Sequence, residues 1–215
     1  MLRNVYTAPF FLIQNQLFMQ IDLDLLFTWG AIAKKYKKNE LIFDETEVAH
    51  FYYQIIDGSV RIYNSNDEGK EFTQGVFCKG NSFGEPPLFI DEIYPSKAVT
   101  IQDSVIIKLS KDKFLKILDE YPPIQKSFLN LLARRVHSKS NTFKEIINQK
   151  PEFRVISFLN THKKQSEITT DKALIPFTRQ EIANFTGLRV ETVIRVLCKM
   201  NTCNKVEIIN HKIYY

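Results

Sequence analysis

Three cysteines in 215 residues, Cys78, Cys198 and Cys203, are too few and too scattered for a disulfide framework. None forms a C-x-x-C pair and none has a histidine beside it. That usage suits a reducing compartment, so a cytoplasmic location is expected. Histidine is as sparse. His50, His137, His162 and His211 are spread over the chain, and only His50 falls among strand-like runs. A cupin-like metal enzyme needs histidine and glutamate ligands clustered on neighbouring strands, so that reading is a remote alternative, and no metal site is expected. No Walker-type loop or dinucleotide fingerprint occurs, and no catalytic residues are assigned: the chain is not expected to be an enzyme. No apolar run approaches the ~18 residues of a membrane helix. The stretch Ala8–Ile13 is too short and broken for a secretory signal, so no membrane partner is expected.

What is present is an ordinary core-forming composition, 44% hydrophobic and 25% charged, which excludes a disordered or collagen-like chain. Charge is unevenly placed. Residues 1–148 carry 18 basic and 18 acidic side chains, whereas residues 149–215 carry 11 basic and 6 acidic. The whole net charge of +5 therefore sits in the last 67 residues, an asymmetry that points to nucleic acid.

Apolar residues at helical spacing predict an opening helix over Gln16–Thr28. From Ala31 to about Leu109 the texture is that of short strands: Glu40–Phe43, Phe51–Ile56, Ser59–Tyr63, Glu71–Phe77 and Val99–Leu109. They are punctuated by turn signals such as Asn66-Asp67-Glu68-Gly69. Such spacing indicates a barrel or jelly roll. Ser110–Glu120 reads as a helix stopped by Tyr121-Pro122-Pro123. A longer helix follows to Asn148, with Ile124, Phe128, Leu131, Leu132, Val136, Phe143, Ile146 and Ile147 in steps that suit either a dimer seam or ordinary core burial. Six polar residues, His137–Thr142, interrupt that stripe. Beyond a hinge at Lys150-Pro151 come a helix around Phe153–Leu159, a polar linker over Lys163–Lys172 and a short edge strand at Ile175-Pro176-Phe177.

Thr178-Arg179-Gln180-Glu181 is a capping box opening a short helix. Thr186-Gly187-Leu188 breaks that helix, and Arg189–Met200 forms the next. Helix, glycine turn and helix make a helix-turn-helix, and the alternation over Asn204–Tyr215, with its turn at Asn210-His211-Lys212, adds a wing. Three of the chain's eight arginines, Arg179, Arg189 and Arg195, fall within 17 positions. Guanidinium forks suit phosphate and guanine. Glu191 can accept from cytosine and Val190 can touch a thymine methyl; the competing reading of Glu191 and Arg195 is a simple i,i+4 ion pair. The expected DNA-binding set is Arg179, Gln180, Arg189, Val190, Glu191, Thr192 and Arg195.

Six blocks in order, Phe51–Val60, Asp67–Glu71, Ser82–Glu85, Leu132–Arg135, Thr178–Ala183 and Gly187–Arg195, make the chain resemble the CRP/FNR family of bacterial transcription regulators. The resemblance implies an α+β architecture: a cyclic-nucleotide-binding-like jelly roll with an N-terminal helix over 1–121, a dimerisation helix over 122–148 and a winged helix-turn-helix over 149–215. It implies a homodimer on double-stranded DNA with a pseudo-palindromic operator, and RNA polymerase as a further partner if the protein activates. The eight apolar residues of the long helix are then the expected dimer interface.

In cyclic-nucleotide-responsive members a Gly-Glu pair holds the ribose, a downstream Arg-Ser holds the phosphate and a Thr-Ser on the dimer helix receives the purine. Here Gly84-Glu85 is kept, the Arg-Ser position reads Pro95-Ser96 with Lys97 next to it, and the Thr-Ser position reads Lys139-Ser140. Any effector pocket is therefore sought at Gly84, Glu85, Ser96, Lys97, Lys139 and Ser140. Proline offers no donor to a phosphate. A cyclic nucleotide is accordingly not expected, and a cAMP-responsive regulator is the alternative. An iron–sulfur cluster lacks its four thiolates and haem its clustered ligands, so neither is expected.

Overall fold

The computed structural model describes residues 19–148, 150–165 and 172–215, with the side chains of 141–148 and 164–165 outside the description. The first helix is shorter than its apolar spacing suggests. α1 is Leu23–Thr28, because the Asp22 carboxylate caps it by accepting from the amides of Asp24 and Leu25. Ile21 is held outside the helix, its amide and carbonyl both bonded to the side chain of Gln54. The start of the expected helix, 16–18, lies outside the described residues.

Eight strands follow: β1 Ile32–Tyr36, β2 Leu41–Phe43, β3 Phe51–Asp57, β4 Ser59–Ser65, β5 Glu71–Cys78, β6 Ser82–Phe83, β7 Lys97–Thr100 and β8 Ser104–Ser110. They form two four-stranded sheets, ordered β1-β8-β3-β6 and β2-β7-β4-β5. The run expected over Val99–Leu109 divides between the two sheets, β7 pairing with β4 and β8 with β3. The sequence reading also passed over β6 and the short helix α2, Pro86–Ile90. One core joins the sheets. It includes Phe43 stacked on Tyr94 (centroids 3.7 Å apart), Tyr53 against Phe83, and Tyr52 stacked on Phe114 of helix α3, Lys111–Glu120. Gly84 has a φ of +75°, and a β-carbon there would lie 2.9 Å from the Phe43 ring, so this turn between β6 and α2 suits glycine.

The prolines that end α3 also begin α4, Pro122–Asn148, since an amide-free residue is tolerated in a helix's first turn. α4 carries apolar residues on more than one face. Phe128 (2% exposed) and Leu131 lie in the jelly roll's own core, where Phe128 meets Tyr52 and Phe114 edge-on. Burying such a side chain stabilises by roughly 1.5–3 kcal/mol, so these two hold α4 to the sheets and are not available to a partner helix. Leu129 and Val136 are the large apolar side chains that α4 exposes among the described residues, with Ile124 and Leu132 half-buried. The side chains of Phe143, Ile146 and Ile147 lie outside the described residues. The beginning of α4, through Lys139, clusters with the jelly roll, so 122–148 is not a separate body.

The second compact unit comprises Ser140–Tyr215 and the hairpin tip Ser65–Thr73. It contains α5 Pro151–Gln165, β9 Leu174–Ile175, α6 Arg179–Thr186, α7 Val190–Thr202, β10 Glu207–Ile209 and β11 Lys212–Tyr214. A sheet ordered β10-β11-β9 lies beside the three helices. Val155, Phe158 and Leu159 of α5 share a core with Ile182, Val193, Val196, Leu197 and Ile213. Most of the expected polar linker, 166–171, lies outside the described residues.

Candidate nucleic-acid interface

Local chemistry fixes the start of α6. The Glu181 amide donates to Thr178 Oγ1 at 3.1 Å, and the Thr178 amide donates back to Glu181 Oε2 at 2.7 Å. These reciprocal bonds satisfy two amides that a helix end leaves free. The helix stops at Gly187, whose φ of +64° is the left-handed turn that closes many helices. A β-carbon at Gly187 would sit 2.9 Å from the Arg154 guanidinium and 3.4 Å from the Phe72 ring, so the turn is also a close approach. Arg154 donates to the Thr186 carbonyl and Lys70 Nζ to the Gly187 carbonyl at 3.1 Å. Asn184, bonded to Gln180 at 2.8 Å, also reaches Glu71 at 3.3 Å.

α7 leaves this turn with one face sealed and the other open. Val193, Val196, Leu197 and Met200 are buried, whereas Arg189, Glu191 and Arg195 are exposed. No ion pair or hydrogen bond from any of those three charged side chains is found among the described residues. The i,i+4 pairing of Glu191 with Arg195 is therefore not formed. Three ionic groups without internal partners, carried on a helix fixed by its opposite face, constitute a surface ready for an external polar ligand.

The other expected contact residues divide. Gln180 is exposed and Thr192 half-buried. Arg179 is half-buried because its guanidinium donates to the carbonyl of His211 in the wing, tying the start of α6 to the β10–β11 turn. Val190 packs against the domain core, so its methyl groups are partly committed there. The wing is anchored to α7 by the Ile208 amide on Asn201 Oδ1 at 3.0 Å and turns through Asn210 and His211, both at positive φ.

Comparison with known proteins gives the same two parts. Residues 33–121 match the cyclic nucleotide-binding domain and residues 153–214 the Crp-like helix-turn-helix domain. The chain belongs to the CRP/FNR family. It is 29% identical over 187 residues to the cAMP-activated global transcriptional regulator CRP of Haemophilus influenzae, covering 86% of this chain and 83% of that protein. It is 26% identical over 169 residues to the transcriptional activatory protein AadR of Rhodopseudomonas palustris, covering 77% and 70%. The c-di-GMP responsive global regulator CLP of Xanthomonas campestris shares the fold, with a TM-score of 0.79 at 20% identity over 88% of this chain and 96% of that one. The protein is thus a DNA-binding transcription regulator of the CRP/FNR type.

Several of the residues expected at an effector pocket are bonded within the protein. Glu85 is fully buried, and Arg135 of α4 donates to its Oε2 at 2.6 Å while also donating to the Ser82 carbonyl at 2.7 Å. Arg135 was not among the expected pocket residues. It stands seven residues after Phe128 and four after Leu131, on the stripe of α4 that the jelly roll buries, where a charge requires a counter-charge. Lys139 donates to Gln74 at 3.0 Å, and burial, helped by the charge of Arg135, lowers its pKa. Lys97 is engaged with Asp44 at 3.4 Å and Glu45 at 3.9 Å, and the bond to Asp44 raises its pKa. Ser96 is buried, and Ser140 lies in the other compact unit. Lys97 is neutralised by carboxylates, and Glu85 is closed by an internal cation. An open apolar recess of about 530 Å³ is lined by Glu45, Pro86, Pro87, Ile90 and Glu92–Pro95.

The string Gly80-Asn81-Ser82-Phe83-Gly84 spells the G-x-S-x-G of serine hydrolases. Ser82 is fully buried within β6, paired to Gln54 of β3, and not on the exposed strand-to-helix elbow that such a nucleophile needs. Among the described residues no group of histidine, cysteine and carboxylate side chains is placed to hold a metal ion, and no helix is long and apolar enough to cross a membrane.

Proposed function

We propose that this regulator works in the cytoplasm as a homodimer that reads a pseudo-palindromic operator, one α7 in the major groove of each half-site. The observation that carries this reading is the open face of α7, where Arg189, Glu191 and Arg195 are exposed and unpaired among the described residues while the opposite face is locked in the core. Arg195 donates twice to a guanine and Glu191 accepts from a cytosine amine; Arg189 and Gln180 meet backbone phosphates. Arg179 offers phosphate the guanidinium hydrogens that the wing carbonyl leaves unused. The partner helix packs along the exposed edge of α4, on Leu129, Leu132 and Val136 in steps of three and four. Phe128 and Leu131 belong to the jelly roll. If the protein activates transcription, RNA polymerase is its further partner.

The same reading holds that no cyclic nucleotide, haem or iron–sulfur cluster is needed. For a cyclic nucleotide the fit is poor on three counts: Pro95 lacks a donor, Lys97 is held by carboxylates and Glu85 Oε2 already has its cation. One atom favours the cAMP-responsive alternative. Glu85 Oε1 is buried without a hydrogen-bond partner among the described residues, an acceptor that a ribose hydroxyl would satisfy.

The test is selection of bound sequences from a random duplex library, with and without cAMP. A palindrome with half-site centres about 34 Å apart, enriched equally in both arms, is expected. An unsymmetrical single site, or no enrichment, overturns the dimeric reading, and enrichment only with cAMP favours the alternative.

A further inference from the structure

Among the described residues of α7, the large apolar side chain most at odds with its surroundings is Ile194, 46% exposed. It lies three residues after Glu191 and one before Arg195, on the outward side of the helix. A β-branched residue is a poorer helix former than alanine or lysine, and at this position its methyl groups gain no burial inside the chain. Its neighbours in the i,i+4 row are Val190, half-buried against the core, and Cys198, exposed. The outward surface of α7 therefore consists of two adjacent ridges. Glu191 and Arg195 form an ionic one, and Val190, Ile194 and Cys198 form an apolar one, with Ile194 as its prominent and uncommitted member.

A duplex offers an apolar side chain in the major groove one kind of partner, the C5-methyl of thymine. Phosphates and the other base edges are polar and would strand Ile194 without benefit. We infer that Ile194 is a specificity-determining residue, packing on the methyl of a thymine next to the base pair met by Arg195. This inference rests on α7 being the reading helix. It also assigns to Ile194 the thymine contact that the sequence alone suggests for Val190, since Val190 is already packed against the domain core.

Deoxyuridine tests this directly, because dU differs from dT only in lacking that methyl. Using the full chain and its selected palindromic duplex, each dT of the half-site is replaced by dU symmetrically, one position at a time, and affinity is measured for the natural protein, Ile194→Ala and Ile194→Ser. At one position the natural protein loses affinity roughly fourfold per half-site, about fifteen-fold for both, as expected for one methyl group. Both variants bind the dT duplex correspondingly more weakly and lose nothing further on the dU duplex. Their thermal unfolding matches that of the natural protein, because the side chain is exposed. The inference is overturned if no dU replacement weakens the natural protein, if the selected half-site contains no thymine, or if the variants remain as sensitive to dU as the natural protein. Failure to select any duplex would instead overturn the reading-helix assignment itself.

Discussion

Glutamate and arginine are placed to pair at two points in this chain, Glu85 with Arg135 inside the jelly roll and Glu191 with Arg195 on the outward face of α7. Glu85, fully buried, and Arg135, half-buried, are 50 residues apart in sequence and 2.6 Å from each other. Glu191 and Arg195 are four residues apart on one helix, exposed, and not within ion-pair distance. Proximity along the chain therefore does not decide whether such a pair forms. Burial does. Inside the jelly roll an uncompensated carboxylate would carry a heavy desolvation penalty, so the fold brings a cation from α4 to it. On α7 water solvates both groups at little cost, and an i,i+4 contact would return only a few tenths of a kcal/mol. Glu85 and Arg135 tie α4 to the jelly roll, whereas Glu191 and Arg195 stay in the open.

The comparison breaks first at the buried pair. Arg135→Met leaves Glu85 without its cation, and the jelly roll should lose roughly 3–5 kcal/mol of stability. Trp29, the chain's single tryptophan and packed on the jelly-roll core, reports that unfolding by fluorescence in urea. Adding Glu85→Leu should recover most of the loss, since an apolar pair of similar volume is tolerated where a lone charge is not. A single variant costing under about 1 kcal/mol would show that the interior solvates Glu85 by other means.

At the exposed pair the effect should be smaller and should appear in a different measurement. Arg195→Ala is expected to leave unfolding unchanged within about 0.5 kcal/mol. It should weaken binding to the selected duplex by about 1–3 kcal/mol and relax preference at one base pair of each half-site. Unaltered affinity and base preference would remove Arg195 from the recognition set.

What the sequence made legible follows the same division. The capping box at Thr178–Glu181, the Gly187 turn and the Asn66–Gly69 turn are local devices, each set by a few neighbouring residues, and each stands where the residues indicate. The two faces of α4 were not legible. Phe128 and Leu129 are adjacent and both apolar, and periodicity does not say which one a neighbouring sheet will claim. Nor was the pairing of Glu85 with Arg135, which is decided by the packing of α4 on β6 and not by any local pattern. The exposure of Arg189, Glu191 and Arg195 was readable because a helix-turn-helix fixes which face is open. The internal contacts of Arg179 and Val190 were not, since the wing carbonyl and the domain core that engage them come from distant segments.

The smallest expected difference between the two regions is in their response to acid. His162 in α5 is buried at 1% exposure, edge-on to Phe177, with no hydrogen-bond partner for Nδ1 among the described residues. Burial lowers its pKa below the ordinary 6.5, so the folded domain holds this imidazole neutral where the unfolded chain would already protonate it. The unfolded state then binds more protons, and stability rises with pH across that interval. The contribution is complete above about 6.5 and is lost as pH falls from there toward the lowered value. The described jelly-roll histidines, His50 and His137, are exposed. Hydrogen exchange of the α5–α7 amides should therefore quicken, relative to those of β3 and β8, on going from pH 7.5 to 5.5, after correction for the intrinsic pH dependence of exchange. His162→Leu should abolish that relative change, because leucine fills the site without titrating. If the relative change persists in the variant, the acid sensitivity belongs to another group, and the contrast between a domain with a buried base and one without it does not hold.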